Sequence, residues 1–81
     1  MNTEINEPIE IAVKFKSGKA EPLIFRWHQN LFKIKKINLM HKVQQGEDLL
    51  YSYSVSTDKD DTYQISFNPK QLKWILDQTC D

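Results

Sequence analysis

Apolar and polar residues alternate one for one over most of this chain, and this alternation constrains the fold more than any other feature. It is clearest in residues 49–56, where Tyr51, Tyr53 and Val55 alternate with serines. A period of two is typical of strands that bury one face and expose the other. The sequence therefore predicts an all-β domain whose strands each have an apolar and a polar side.

Turn-forming residues divide the alternating stretches into short predicted strands. Ser17-Gly18 and Gly46 mark two of the connections, and other short polar segments mark the rest. Short connections favour antiparallel neighbours in sequential order. The predicted strands cover residues 9–16, 22–27, 31–43, 49–56, 62–67 and 72–78. We expect a six-stranded antiparallel meander that is strongly twisted or partly closed into a small barrel.

The longest predicted strand, residues 31–43, changes parity partway along. Phe32 and Ile34 share one side. The later candidates for the core share the other side: Ile37, Leu39, His41 and Val43. We infer a β-bulge at Lys35-Lys36, because one extra residue returns the later side chains to the core and leaves both lysines in water.

The last segment, residues 72–78, fits two structures. As a strand it buries Leu72, Trp74 and Leu76, and as a helix capped by Asn68 it buries Leu72, Ile75 and Leu76. We favour the strand, because Trp and Ile prefer strands and a sixth strand can pair with the edge of the meander. The alternative fold is five strands plus a short C-terminal helix.

The chain length of 81 residues allows one domain, residues 1–81, and 40% hydrophobic residues are enough for a folded core. We expect the ordered part to span about residues 8–78. The predicted core comprises Ile11, Val13, Phe15, Phe25, Trp27, Phe32, Ile34, Ile37, Tyr53, Val55, Ile65, Phe67 and Trp74.

Cysteine use and the N-terminal sequence predict a cytoplasmic protein. Cys80 is the only cysteine, so no intrachain disulfide can form. The first ten residues carry three glutamates and no basic residue, unlike a signal peptide. Apolar runs are far shorter than the roughly 20 residues of a membrane helix, so we expect no membrane partner.

Residues for catalysis or metal binding are few. His28, His41 and Cys80 belong to no local motif for a nucleophile or a metal. The acidic segment 58–61 lacks the spacing of a calcium loop, and two glycines cannot form a glycine-rich phosphate loop. We therefore predict that the chain is not an enzyme and uses no cofactor and no metal.

Charge is distributed unevenly although the formal net charge is zero. Residues 11–43 hold eight basic residues and one acid, Glu21. The alternation puts several of the cations on the outer side of adjacent strands, and these are the candidate binding residues: Lys14, Lys16, Arg26, Lys33, Lys35 and Lys36. Neutral polar groups continue this side: Ser52, Ser54, Ser56, Gln64 and Ser66. The aromatic rings have the opposite, inward parity.

These features favour a non-enzymatic binding module that uses a basic outer face for nucleic acid or another polyanion. The alternative is a structural or protein–protein interaction domain. Its partner would be an acidic protein, a strand added to a sheet edge, or a protein that docks on exposed Ile24, Met40 and Leu50. Lysines on solvated strands also simply keep a sheet soluble. We expect a monomer or a weak homo-oligomer.

The steps Phe25-Arg26-Trp27 and Phe32-Lys33-Ile34, followed by a closing Trp74-Ile75-Leu76, carry a family resemblance. In this pattern the chain resembles a family of small bacterial all-β domains of unknown function. It departs from that pattern at Leu39-Met40-His41, where relatives often have another Trp. Some relatives are encoded near translesion DNA polymerases, so the resemblance implies an accessory role near DNA. It also implies a strand for the closing segment and supplies no catalytic residues.

Overall fold

The computed structural model describes residues 3–80, and most of them lie in seven β-strands. The strands are β1 (Thr3–Pro8), β2 (Glu10–Lys16), β3 (Lys19–Trp27), β4 (Asn30–Gln45), β5 (Asp48–Thr57), β6 (Thr62–Asn68) and β7 (Lys73–Cys80). The predicted all-β class is confirmed, and the predicted count of six strands is one too low. The pattern missed β1 because Ile5 is the only aliphatic residue before Pro8 in this strand. Strand pairing thus extends beyond the expected limits of residues 8–78.

All seven strands form one antiparallel sheet in the order β1-β7-β6-β5-β4-β3-β2. β2 to β7 form a meander, and β1 pairs with β7. Ile9 alone separates β1 from β2, so the sheet curls until its two edges adjoin at this residue. The Ile9 amide donates to the Trp74 carbonyl at 3.1 Å. β1 and β2 do not pair with each other, so the sheet is open and the predicted closure into a barrel is wrong.

The C-terminal segment is a strand, as favoured, and the helical alternative is wrong. β7 pairs with β6 on one side and with β1 on the other. Trp74 and Leu76 are buried as predicted, but Leu72 is 77% exposed. Leu72 precedes the strand in a turn with a φ of 56°, so it lies outside the alternating pattern that would have buried it.

The core lies on the inner side of the curled sheet. Its fully buried apolar residues are Phe25, Tyr53, Val55, Tyr63, Ile65, Trp74 and Leu76. The other predicted core residues are partly buried against this cluster, except Phe15, which is 74% exposed. That prediction is wrong because Phe15 lies near the tip of the β2–β3 hairpin, opposite the small side chain of Ala20.

β4 contains two bulges. The register steps from the Ile34–Thr57 pair to the Lys36–Ser56 pair, so Lys35 is an extra residue and the predicted bulge is confirmed. A second shift makes Asn38 another extra residue. This second bulge turns Leu39 and His41 away from the core, and Leu39 is 59% exposed. The expectation that one bulge would keep residues up to Val43 inward is therefore wrong beyond Ile37.

Candidate functional site

The outer face of β2, β3 and β4 is the side of these strands opposite the core. Residues directly opposite one another in an antiparallel pair project to the same side of the sheet. Arg26 lies between Glu10 and Leu31, and Ile24 lies between Ala12 and Lys33. Neighbouring strands are about 4.8 Å apart. The register therefore places Lys14, Arg26 and Lys33 on the same side of the sheet.

Two acidic residues share this surface. Arg26 Nη2 lies 2.7 Å from Glu10 Oε2, and both side chains are largely exposed. Glu21 is the cross-strand partner of Lys14. An exposed ion pair contributes only about 0–1 kcal/mol to stability, but it reduces the positive potential that Arg26 offers to a ligand. Arg26 thus belongs to the face as a partly neutralised cation.

The two lysines at the first β4 bulge have different surroundings. Lys35 Nζ lies 3.2 Å from Asp60 Oδ1 in the β5–β6 turn. Lys36 is paired with Ser56 across the strands, on the outer face. Because the bulge makes Lys35 the extra residue, it leans toward the acidic turn while Lys36 continues the outer face.

Of the six candidate residues, four are exposed lysines that form no ion pair within residues 3–80, and we call them the lysine strip: Lys14, Lys16, Lys33 and Lys36. Two of them lie on β2 and two on β4, with β3 between these strands; Lys16 is at the tip of the β2–β3 hairpin and Lys36 is next to β5. Such unneutralised ammonium groups on a curved sheet can each contact an anionic oxygen of one extended ligand.

The predicted neutral continuation of the face lies on β5 and β6, where Ser54 is opposite Gln64 and both are half-buried. Ser52 is opposite Ser66 and both are buried, so the prediction that these two serines extend the exposed face is wrong. Gln64 Nε2 donates to Ser52 Oγ at 3.0 Å, and Ser66 Oγ donates to Asp77 Oδ1 at 3.0 Å. Burial raises the pKa of the Asp77 carboxyl, and the Ser66 hydrogen bond opposes this. This part of β5 and β6, which we call the Ser52–Ser66 sector, is therefore neutral to acidic, and the cationic surface ends at β4.

A second polar cluster lies where β1 meets β3. Glu7 Oε1 is 3.0 Å from His28 Nε2 and 3.3 Å from Trp27 Nε1, and the His28 ring stacks on Trp27 at 4.3 Å. The sequence did not predict this cluster because Glu7 belongs to β1, a strand that the alternation did not indicate. It provides a carboxylate and an imidazole, but no serine or cysteine among its lining residues could act as a nucleophile.

Other candidate groups stay apart in the part of the chain that is described. His41 is exposed on β4, and Cys80 is half-buried with Gln78 Nε2 at 3.7 Å from its sulfur. Across residues 3–80, no three His, Cys, Asp or Glu side chains are grouped closely enough to hold a metal ion. The same residues include no helix of the length and apolarity needed to cross a membrane.

Fold and surface together define a small antiparallel all-β domain with a cationic outer face. No family model, curated protein or solved structure matches this chain. The functional argument therefore depends on the side chains themselves.

Proposed function

We propose that this chain is a non-enzymatic binding module that uses the lysine strip to bind the phosphate backbone of nucleic acid. The supporting observation is that Lys14, Lys16, Lys33 and Lys36 are exposed at outward positions of β2 and β4 and form no ion pair among the described residues. A cation that neutralises a phosphate releases a condensed counterion, and this release is the main source of sequence-independent affinity.

The net charge of zero is compatible with this function because the opposite charges are segregated. The acidic residues outside 11–43 concentrate at the N-terminus, in the turns after β4 and β5, and near the C-terminus. Debye screening at physiological salt limits electrostatic interactions between exposed groups to about 8 Å. A phosphate at the lysine strip therefore experiences mainly the charges of this surface, where the four lysines outnumber Glu10 and Glu21 and Arg26 already pairs with Glu10.

Titration with labelled single- and double-stranded DNA and RNA at two salt concentrations tests the proposal. If four lysines each contact a phosphate, the affinity falls about 100-fold between roughly 50 and 200 mM salt. The absence of binding at low salt would refute the nucleic-acid function.

Charge reversal locates the surface. Lys33→Glu combined with Lys36→Glu removes two contacts, so the salt slope is expected to fall by about 2 and the affinity by at least about 10-fold. The matched control is Lys70→Glu with Lys73→Glu, which makes the same change in net charge at exposed lysines near the β6–β7 turn. Equal losses in both double variants would show that only total charge matters.

An acidic protein is the second candidate partner. Leu31 is 60% exposed beside Arg26 and Glu10, and Leu23 is 47% exposed on neighbouring β3. Apolar side chains among cations are typical of protein interfaces. Binding to an acidic partner that is lost in Leu31→Ala, with no affinity for oligonucleotides, would favour this candidate.

The remaining proposals concern cellular context. We propose a cytoplasmic protein without cofactor that is a monomer or weak homo-oligomer, since Cys80 is the only cysteine and opposite charges occur on one chain. The resemblance to bacterial domains encoded near translesion polymerases stays a prediction, and it agrees with a role near DNA. Fractionation and sedimentation at two salt concentrations test location and oligomeric state.

A further inference from the structure

The inner side of the sheet is open at the end formed by the β2–β3 hairpin tip. A cavity of about 180 Å³ lies there. Its principal lining residues are Phe15, Ala20, Met40, Tyr51, Tyr53 and Phe67. None of the described lining residues is acidic. The cavity is smaller than the roughly 300–1,000 Å³ of pockets for drug-sized ligands, so its size suits a single ring system.

Aromatic side chains at this cavity are accessible, unlike those in the core. Phe15 is 74% exposed, and Tyr51 and Phe67 are half-buried and directly opposite one another on β5 and β6. Exposed rings provide flat surfaces on which another ring can stack.

The cavity wall is fixed by a hydrogen bond. Tyr53 Oη donates to the Ala20 carbonyl at 2.9 Å and thus ties β5 to the β2–β3 hairpin. Burial, with a smaller contribution from Tyr51, raises the pKa of Tyr53 and keeps its hydroxyl in the donor form. This bond therefore fixes the position of Ala20, one wall of the cavity, relative to β5.

Lysines lie near the opening. Lys19 lines the cavity, Lys16 is its cross-strand partner at the hairpin tip, and Lys42 is opposite Tyr51 on β4. These three lysines form no ion pair with any other described residue. A ligand that combines a flat ring with a nearby negative charge complements this arrangement, and a nucleotide within a chain has both.

We infer that this cavity, which we call the base pocket, holds one unstacked base of a single-stranded nucleic acid. The inference rests on the proposed phosphate-binding function, because Lys16 of the lysine strip is the cross-strand partner of Lys19, which lines the pocket. A strand that follows the outer face can pass over the hairpin tip and place one base against Phe15. Bases in a duplex are paired and stacked, so they cannot enter.

Fluorescence anisotropy with an oligothymidine of about 12 nucleotides, within the roughly 4–16 nucleotides bound by small β domains of this kind, tests the base pocket. A duplex of equal length is the comparison. Phe15→Ala is expected to weaken binding of the single strand by about 5- to 150-fold, the range for loss of one stacked base, and to leave duplex binding unchanged. Since Phe15 is largely exposed, the variant should retain its fold, which circular dichroism checks.

Two further measurements separate the base pocket from general adhesion. An abasic oligonucleotide with the same phosphates should bind the unmodified protein as weakly as oligothymidine binds the Phe15→Ala variant. Leu72→Ala, which removes a 77% exposed apolar side chain that does not line the pocket, should change the affinity for neither the single strand nor the duplex. If the single strand, the duplex and the abasic chain bind equally and Phe15→Ala affects none of them, the inference that the pocket holds a base is wrong, while the proposal of phosphate binding stands. If nothing binds at low salt, both proposals fail.

Discussion

The hydroxyl of Tyr53 donates a hydrogen bond of 2.9 Å to the carbonyl oxygen of Ala20, and this bond joins β5 to β3 across the inner side of the sheet. β4 lies between these strands in the sheet order. The bond therefore supports the curl of the sheet as well as the wall of the base pocket. It is a tertiary contact between residues 33 positions apart, so no local pattern in the sequence reveals it.

Removing this hydroxyl should destabilise the fold. Tyr53→Phe keeps the buried ring and loses one hydrogen bond, so the free energy of unfolding should fall by about 1 kcal/mol and the melting temperature by roughly 4–8 °C. Tyr51→Phe is the control, because the Tyr51 hydroxyl forms no side-chain hydrogen bond with the described residues. Equal stability of the two variants in urea would contradict this role for Tyr53.

Releasing Arg26 from Glu10 should strengthen nucleic-acid binding. Glu10→Gln removes the carboxylate 2.7 Å from the guanidinium and leaves a side chain of similar size. If Arg26 then contacts a phosphate, affinity rises and the salt slope steepens by up to about 0.9. Glu47→Gln provides the same charge change in the exposed β4–β5 turn. Identical titrations for both variants would mean that Arg26 contributes nothing to the surface.

Glycine should be preferred at position 72. Leu72 adopts a φ of 56° and is 77% exposed, so its side chain contributes little packing and strains the backbone. Leu72→Gly should raise the free energy of unfolding by about 1 kcal/mol. Gln71, one residue earlier, has no positive φ. Gln71→Gly should therefore lower the free energy of unfolding, because glycine increases the entropy of the unfolded chain. Chemical denaturation distinguishes the two, and destabilisation by Leu72→Gly would argue against this turn.

Asp77 should make stability depend on pH. Burial raises its pKa, so the folded chain holds this proton more tightly than the unfolded chain does. Stability from this group is therefore present below the unfolded pKa and is lost as pH rises through the raised folded pKa.

Asp77→Asn should thus be more stable than the unmodified protein at neutral pH, with an advantage that shrinks as pH falls through the folded pKa. The amide oxygen can still accept the hydrogen bond from Ser66. Thermal melts across this pH range measure the difference, with Asp61→Asn at an exposed turn as control. A constant difference at every pH would contradict the raised pKa.

Alternation predicted the strands whose register is continuous. Tyr53, Val55 and Ile65 are buried because β5 and β6 pair without a shift through these residues. The bulge at Lys35 was also predictable, since two successive lysines interrupt the parity. The bulge at Asn38 was not predictable, because the apolar pattern of the residues after Asn38 continues unchanged. β1 could not be predicted because its partner β7 lies at the other end of the chain.

The candidate site was predicted in outline. Parity placed Lys14 and Lys33 on the outer face, but it could not show that Glu10 neutralises Arg26 or that Asp60 attracts Lys35, since both contacts are tertiary. Phe15 has inward parity, and the sequence does not show where the sheet stops covering that side. Its position next to Lys16 and the Ser17-Gly18 turn was the only signal of an exposed ring.

Mapping of backbone amide shifts in the ¹⁵N-labelled protein tests the central claim most directly. On addition of a double-stranded oligonucleotide, whose bases cannot enter the base pocket, the shifts at low salt should concentrate at Lys14, Lys16, Lys33 and Lys36 and disappear at high salt. The Ser52–Ser66 sector and the β6–β7 turn should remain unchanged. Shifts confined to that sector, or no shifts at all, would contradict binding of nucleic acid by the lysine strip.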